Sequence, residues 1–448
     1  MRGIERGAPR RLTALIAVVL MLLTLAPVSA MAKPKKSRAT ETTTIETVAE
    51  PTSTETLKTT SSSDTTSSDT QVVALDSAVT TSSLSPSLDT NGSLYEVAER
   101  VGLVDSRGRQ QVRSTGSGVT IAMIDTGVVD VPGLRNSNVV VGPDFSFEDA
   151  NPDLRARDTN GHGTHLAGIV VGTDDAWAAG DTERRLGRQL GIAPDAELLS
   201  VKAGAFNGAT DVTQVIAAVN WVVSQHTSGG QDVDVLLLAY SAGGDALYTR
   251  DPLVLAVERA WDAGITVVVA AGNEGRGSWR LASPARAPFV IAVGASELTD
   301  DTEAGAEFTN SGLLRTVDIH APGRSVISLR NPGSYSDQYN GAGRIGESLV
   351  RASGTSQAAA VVAGGAALLL EQRPKLTPDE VKATLMDASA SVETDWGWSK
   401  RYLRIDQALK AKPSDGDQSY WPVVGDGPLD DVRGDSIVEI EGIALTGD

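Results

Sequence analysis

Val119-Thr120-Ile121-Ala122-Met123-Ile124-Asp125-Thr126-Gly127 is a nearly unbroken apolar run that ends on a carboxylate and a glycine. It lacks the apolar/polar alternation of a half-exposed strand, so it reads as a strand buried on both faces. Similar runs recur at residues 139–141, 198–201, 233–238, 265–270 and 290–293. Helical segments alternate with them, at 164–171, 213–224, 252–263, 356–371 and 377–388. Apolar strands alternating with helices predict an α/β fold with a mostly parallel sheet covered on both sides. In such sheets reactive groups gather beyond the carboxyl ends of the strands, where Asp125 stands.

Composition narrows the chemistry. The 448 residues carry a formal charge of -18, which argues against a nucleic-acid binder, because phosphate backbones need Lys/Arg-rich faces. The chain has no cysteine, which excludes a disulfide scaffold, a thiolate metal site and a cysteine nucleophile. Any catalytic histidine must be one of four, His162, His165, His226 or His320. With 45 glycines and 4% aromatic residues, the core must be built from Ala, Val, Leu and Ile.

The ends differ from the middle. Arg2, Arg6, Arg10 and Arg11 precede an apolar stretch from Leu12 to about Leu25, followed by small residues around Ala30. This pattern predicts a signal peptide over 1–32 rather than a membrane anchor, since a span needs roughly 20 apolar residues. Residues 33–92 are rich in Ser and Thr and poor in large apolar side chains. They are expected to be a disordered linker or a pro-segment. From 412 to 448 the chain turns acidic and glycine-rich, and a loosely ordered tail is expected. The globular part is therefore 93–411.

Four segments carry candidate chemistry, each with an ordinary alternative. Asp125 is a site carboxylate or a cap. His162 lies in Gly161-His162-Gly163-Thr164-His165, where the glycines let backbone and ligand approach closely; a lone histidine is otherwise structural, as expected for His165. Ser356, in Ser353-Gly354-Thr355-Ser356, opens an apolar helix, either as its cap or as a nucleophile favoured by the positive end of the helix dipole. Asn273 follows Ala270-Ala271-Gly272 after a strand, as a turn residue or as an amide donor to an oxyanion.

In combination the segments are less ambiguous. Asp, His, Ser is one of the chain orders that builds a Ser-His-Asp triad, and an α/β-hydrolase esterase would place Ser first. Asp125-Thr126-Gly127, His162 in Gly-His-Gly-Thr-His, Asn273 in Ala-Ala-Gly-Asn and Ser356 in Gly-Thr-Ser resemble the active-site blocks of the subtilisin-like (subtilase) serine endopeptidases. The resemblance runs from about Val101 to Ala411 and includes Phe308-Thr309-Asn310 and Ala321-Pro322-Gly323. It implies a three-layer α/β/α fold and a catalytic triad of Asp125, His162 and Ser356. It implies an oxyanion hole from the Asn273 side chain and the Ser356 N–H. Ser241, Ala242 and Gly243 would form a substrate-binding edge, Ala270, Ala271 and Gly272 would line the pocket before the cut, and Pro284 would follow a cis peptide.

The sequence departs from the family pattern in places. Gln357 and Ala360 stand where methionine and proline are common, and neither position transfers a proton. Gly133 stands where many members place a calcium-binding aspartate, and the loop 173–189 is unlike the usual calcium loop. No metal and no other cofactor is implied. The expected protein is a secreted serine endopeptidase acting on polypeptide through an acyl-enzyme, with no nucleic-acid partner and no stable membrane span, its oligomeric state left open. The rival is a non-catalytic domain of the same fold displayed on a stalk, which the complete set of site residues argues against.

Overall fold

The computed structural model describes residues 92–134, 138–173, 190–298, 305–313, 315–339, 341–393 and 399–433, with backbone at 439–440 and 443–444. The chain divides into two units, Met1–Thr81 and Ser82–Asp448, and every described residue lies in the second. The expected signal peptide, all of the Ser/Thr-rich segment except Gly92, and loop residues 174–189 lie outside the described residues.

The strands in chain order are β1 (Thr120–Asp125), β2 (Val139–Asp144), β3 (Glu197–Lys202), β4 (Val235–Leu238), β5 (Thr266–Ala270), β6 (Ile291–Ser296), β7 (Ile319–Pro322), β8 (Val326–Leu329), β9 (Arg344–Ile345), β10 (Leu349–Ala352), β11 (Ala390–Glu393) and β12 (Ser399–Tyr402). Nine of them form one sheet in the order β11-β12-β7-β6-β5-β4-β1-β3-β2. Its pairs are parallel except β11 with β12. β8, β10 and β9 make a separate antiparallel sheet. β4, β5 and β6 are buried at every residue and β1 from its second residue on, as expected of strands covered by helices on both faces. The expected three-layer α/β/α architecture is present.

β1 lies between β3 and β4, so the chain leaves it in both directions across the sheet. That reversal opens a crevice at the carboxyl ends of β1, β3 and β4, the position at which doubly wound sheets bind ligands. Two helices approach it: His162–Val171 and Thr355–Gln372, which pack on each other. Thr355–Gln372 also lies against β4 to β7, and its Ala/Gly-rich sequence is buried from Thr355 to Leu370. Helices Val212–Ser228 and Pro252–Asp262 pack together and are capped by Asp211 and Asp251, each accepting a first-turn N–H.

The segment beginning at Lys412 departs from the expected loose tail. As far as Arg433 it lies along the domain: the Tyr420 ring sits 4.9 Å from that of Phe289, and Gln418 donates to the Phe289 carbonyl and to Asp379. Val423 and Val432 are buried. The acidic composition of the segment hides these few apolar anchors.

At the carboxyl end of β3, in register with Asp125, Lys202 is 1% exposed. Its Nζ donates to Glu148 Oε2 at 2.7 Å, to the Arg157 carbonyl and to Thr159 Oγ1. Glu148 Oε1 accepts the Phe206 N–H. The pair pins the 143–160 loop beside the crevice. Removing one partner of a buried ion pair strands the other charge, so Glu148→Leu should destabilise by about 3–5 kcal/mol in denaturant unfolding, and the double change Glu148→Leu/Lys202→Met should recover much of that loss. A single-variant cost within about 1 kcal/mol would show the pair to be solvated, like an ordinary surface bridge.

Candidate active site

Asp125 is the last residue of β1 and is buried. Both its carboxylate oxygens face His162 Nδ1, at 2.9 and 3.0 Å. The Thr126 N–H and hydroxyl also donate to Oδ1. A carboxylate so placed fixes the imidazole as the Nδ1–H tautomer and leaves Nε2 with a lone pair. Burial lowers the proton affinity of His162, but the Asp125 charge, the Asp125 hydrogen bond and the Asp158 charge outweigh it, and the pKa lies above the ordinary imidazole value.

His162 is the first residue of its helix, and Gly161, the N-cap, has φ of +101° and offers no side chain to the free N–H groups. Asp158 does so instead. Its Oδ1 accepts the Thr126 hydroxyl and the Asn160 and Gly161 N–H groups, and its Oδ2 accepts the Thr164 N–H at 2.8 Å. Burial raises the Asp158 pKa despite these donors. Thr126 Oγ1 in turn accepts the Gly163 N–H. A Cβ on Gly163 would collide with the Gly127 carbonyl and lie 3.1 Å from Asp125 Oδ1, so the helix can approach β1 this closely only with glycine there.

Ser356 is the second residue of its helix, and its hydroxyl donates to the Ala239 carbonyl at 3.4 Å. Among the described residues Ser356 Oγ makes no hydrogen bond to His162, and the Ser356 N–H makes none at all. Asn273 Oδ1 accepts both the N–H and the hydroxyl of Thr355, at 2.9 and 3.0 Å. With its carbonyl held this way, the amide Nδ2 is turned toward Gly354. A Cβ built on Gly354 would lie 3.6 Å from Asn273 Nδ2 and 3.7 Å from the Ser356 nitrogen. The two N–H groups therefore lie on either side of the same point beside Gly354.

Ala242 forms an antiparallel bridge with Ser283, and the Ser283–Pro284 peptide is cis, as the resemblance implies. Ser241 and Gly243, on either side, are exposed. Among the described residues their backbone groups make no hydrogen bond. Ala270 and Ala271 are buried, and Gly272 starts the turn that delivers Asn273. A cavity of about 240 Å³ lies beyond β1, β3 and β4. Asp125, His162, Asn160, Ala239, Tyr240 and Val215 are among its walls. Burial, with the Asp211 and Asp251 charges, pushes the Tyr240 phenol up to about 12, so it stays neutral.

The remaining histidines play other parts. His165 is buried, and burial together with the nearby His162 charge drives it down to about 3, so it stays neutral. His320 stays neutral too, pushed to about 3 by burial and Lys400, and packs on Tyr402. Among the described residues no group of three or more His, Asp or Glu is placed to hold a metal ion. The Gly133 carbonyl accepts the Thr173 N–H.

Sequence reading missed three supports of this site: Asp158, Thr355 and Asn310. Asn310 Oδ1 accepts the Glu274 N–H, its Nδ2 donates to the Arg280 carbonyl, and its N–H donates to the Gly272 carbonyl, so it clamps the Asn273 turn on both sides. The glycine-flanked histidine motif pointed toward Asp158; nothing local pointed to the other two roles.

The family model described as the Subtilase family matches residues 116–411, which include Asp125, His162, Asn273 and Ser356. Serine protease AprX of Bacillus subtilis (strain 168) is 39% identical over 288 residues, covering 61% of this chain and 62% of that protein. The extracellular serine proteinase of Thermus sp. (strain Rt41A) is 33% identical, covering 62% of this chain and 57% of that protein. The chain thus spans less than two thirds of either relative. Subtilisin DY of Bacillus licheniformis is 30% identical, with 66% of this chain aligned to 92% of that protein. Among solved structures, a cold adapted subtilisin-like serine proteinase superposes with a TM-score of 0.53 and 26% identity, covering 70% of this chain and 98% of that one. With the family match covering well over half its length, this chain belongs to the subtilase family.

Proposed function

We propose that this chain is a secreted serine endopeptidase that cuts polypeptides through an acyl-enzyme. The observation that carries the reading is the Asp125–His162 pair at the end of β1, opening onto the same cavity as Ala239, whose carbonyl holds the Ser356 hydroxyl. Among the described residues Ser356 Oγ is held only by that long contact, which leaves it free to turn to His162 Nε2 when substrate enters. His162 removes the hydroxyl proton as Oγ attacks the scissile carbonyl. The resulting imidazolium is stabilised by Asp125, and the tetrahedral oxyanion takes the Asn273 Nδ2 and Ser356 N–H donors. His162 then delivers the proton to the leaving amine, and water repeats the sequence on the acyl-enzyme.

The substrate pairs as an added strand with the unpaired backbone of Ser241 and Gly243. Ala270, Ala271 and Gly272 receive the side chain before the cut. Secretion rests on the signal peptide read at 1–32, and residues 33–92 are a linker or a segment removed on maturation. The extracellular serine proteinase among the relatives supports the same location.

A fluorophosphonate probe should label the wild-type protein and fail to label Ser356→Ala; equal labelling of both would end the assignment. Asn273→Ala should lower kcat by roughly 10²–10³ with little change in KM, a magnitude measured on a subtilisin. Gly354→Ala should cause a comparable fall, because its Cβ enters the space between the two donors and comes within 2.6 Å of Gln357 Oε1. A change confined to KM would contradict the oxyanion role.

The pH profile follows from His162. The base must be neutral to act, so activity falls as pH drops through its raised pKa, and the acid limb of kcat/KM should lie above about pH 6.5, the value for a free imidazole. Asp158→Asn removes one of the charges that raise it and should move that limb to lower pH. An unmoved limb would show that Asp158 does not act on His162 electrostatically.

A further inference from the structure

The C-terminal arm, residues 412–433, begins where the family match ends and travels over the domain toward the substrate edge. It starts across the helix Pro378–Asp387, where the Ser414 N–H donates to Thr384 Oγ1. The Val424 and Gly425 N–H groups then donate to the Thr249 carbonyl, and the Gly427 N–H to the Arg250 carbonyl. At its end the donors reverse. The Gly244 N–H donates to the Val432 carbonyl and the Ala246 N–H to the Asp431 carbonyl, both at 3.0 Å. A Cβ on Gly244 would strike those two carbonyls, so arm and segment are in close contact.

The other side of the same segment is held as well. Arg286 donates to the carbonyls of Gly244 and Ala246, both at 2.6 Å. The 244–246 backbone is thus clamped between Arg286 and the arm, immediately after Ser241–Gly243. The arm is secured by Arg433, which donates to both oxygens of Asp211, at 2.6 and 3.1 Å, and to Asp430 at 2.6 Å. Asp211 caps the helix Val212–Ser228, so the anchor is a fixed point of the domain. The Arg433 guanidinium helps hold the Asp211 carboxyl down at about 2, so the pair stays ionised across the working range.

We propose that the C-terminal arm is an intramolecular brace that holds the substrate-binding edge extended, with Arg433 as its positioning residue. The proposal rests on the reading of Ser241–Gly243 as that edge. A preordered edge loses less freedom when a peptide pairs with it, so the brace acts on the binding of extended substrates and leaves the chemical step alone.

The test is a graded series in the full chain: Arg433→Lys keeps the charge, Arg433→Ala removes it, and Arg433→Glu sets like charge against Asp211 and Asp430. KM for an extended peptide should rise in that order, roughly five- to tenfold for Arg433→Ala, as when a preorganised site is loosened. Hydrolysis of a single-residue ester and the rate of fluorophosphonate labelling should not change. Peptide, ester and label falling together would reduce the arm to a fold stabiliser and overturn the proposal, as would an unchanged KM across the series. Gly243→Pro, which deletes an edge N–H, separates the two readings. If it raises the peptide KM while the Arg433 series does nothing, the brace fails alone; if it has no effect, the edge reading fails and the brace with it.

Discussion

The buried carboxylate of Asp158 is the interaction on which the placing of His162 against Asp125 depends. It accepts a hydroxyl from the strand end, the N–H groups of Asn160 and Gly161 just before the following helix, and the Thr164 N–H in its first turn, and so ties β1 to that helix. Donors at a helix start must be satisfied, and here Asn160, Thr126 and Asp158 take those of His162, Gly163 and Thr164 in turn, leaving the first side chain, His162, aimed at Asp125. Without that tie the helix would need its own cap residue at 161, and a side chain there would meet Ser334 Oγ. The histidine's orientation is therefore a by-product of how the helix begins.

The proposed oxyanion site is built on the same plan. The helix Thr355–Gln372 has no side-chain cap, and its first N–H is taken by Asn273 from a neighbouring strand end. This bond orients the asparagine amide and leaves the next N–H, on Ser356, unused. Asn310 holds the asparagine's turn from below. Each reactive group is thus positioned by filling the hydrogen-bonding needs of a helix terminus at the end of a parallel strand.

Much of this was legible in the sequence. β1 and β4 to β6 were recognisable because strands buried on both faces are continuously apolar, and Asp125, His162, Asn273 and Ser356 stand in short glycine-bearing blocks whose composition reports close backbone approach. The short strands β7, β8 and β10 are each interrupted by a polar residue, His320, Ser328 or Arg351, and so show no unbroken apolar run. The histidine motif pointed toward Asp158, but its tie to the strand end was hidden because Thr126 lies 32 residues away in the chain. Asn310 and Thr355 act across 36 and 82 residues of chain, a separation that local reading does not cover. The arm was hidden for a different reason: its charge dominates its composition, while its attachment relies on a few residues, Tyr420, Val423, Val432 and Arg433, and on backbone bonds.

The helix that carries Ser356 is buried from Thr355 to Leu370. Beyond its first turn its amides are shielded from solvent except through opening of the core itself. Unwinding the body of this helix therefore means opening the fold. On the proposed activity, open chains are polypeptides that the folded molecules would cut. Inactivation in solution should therefore accelerate with protein concentration, since unfolding is made irreversible by the surviving molecules.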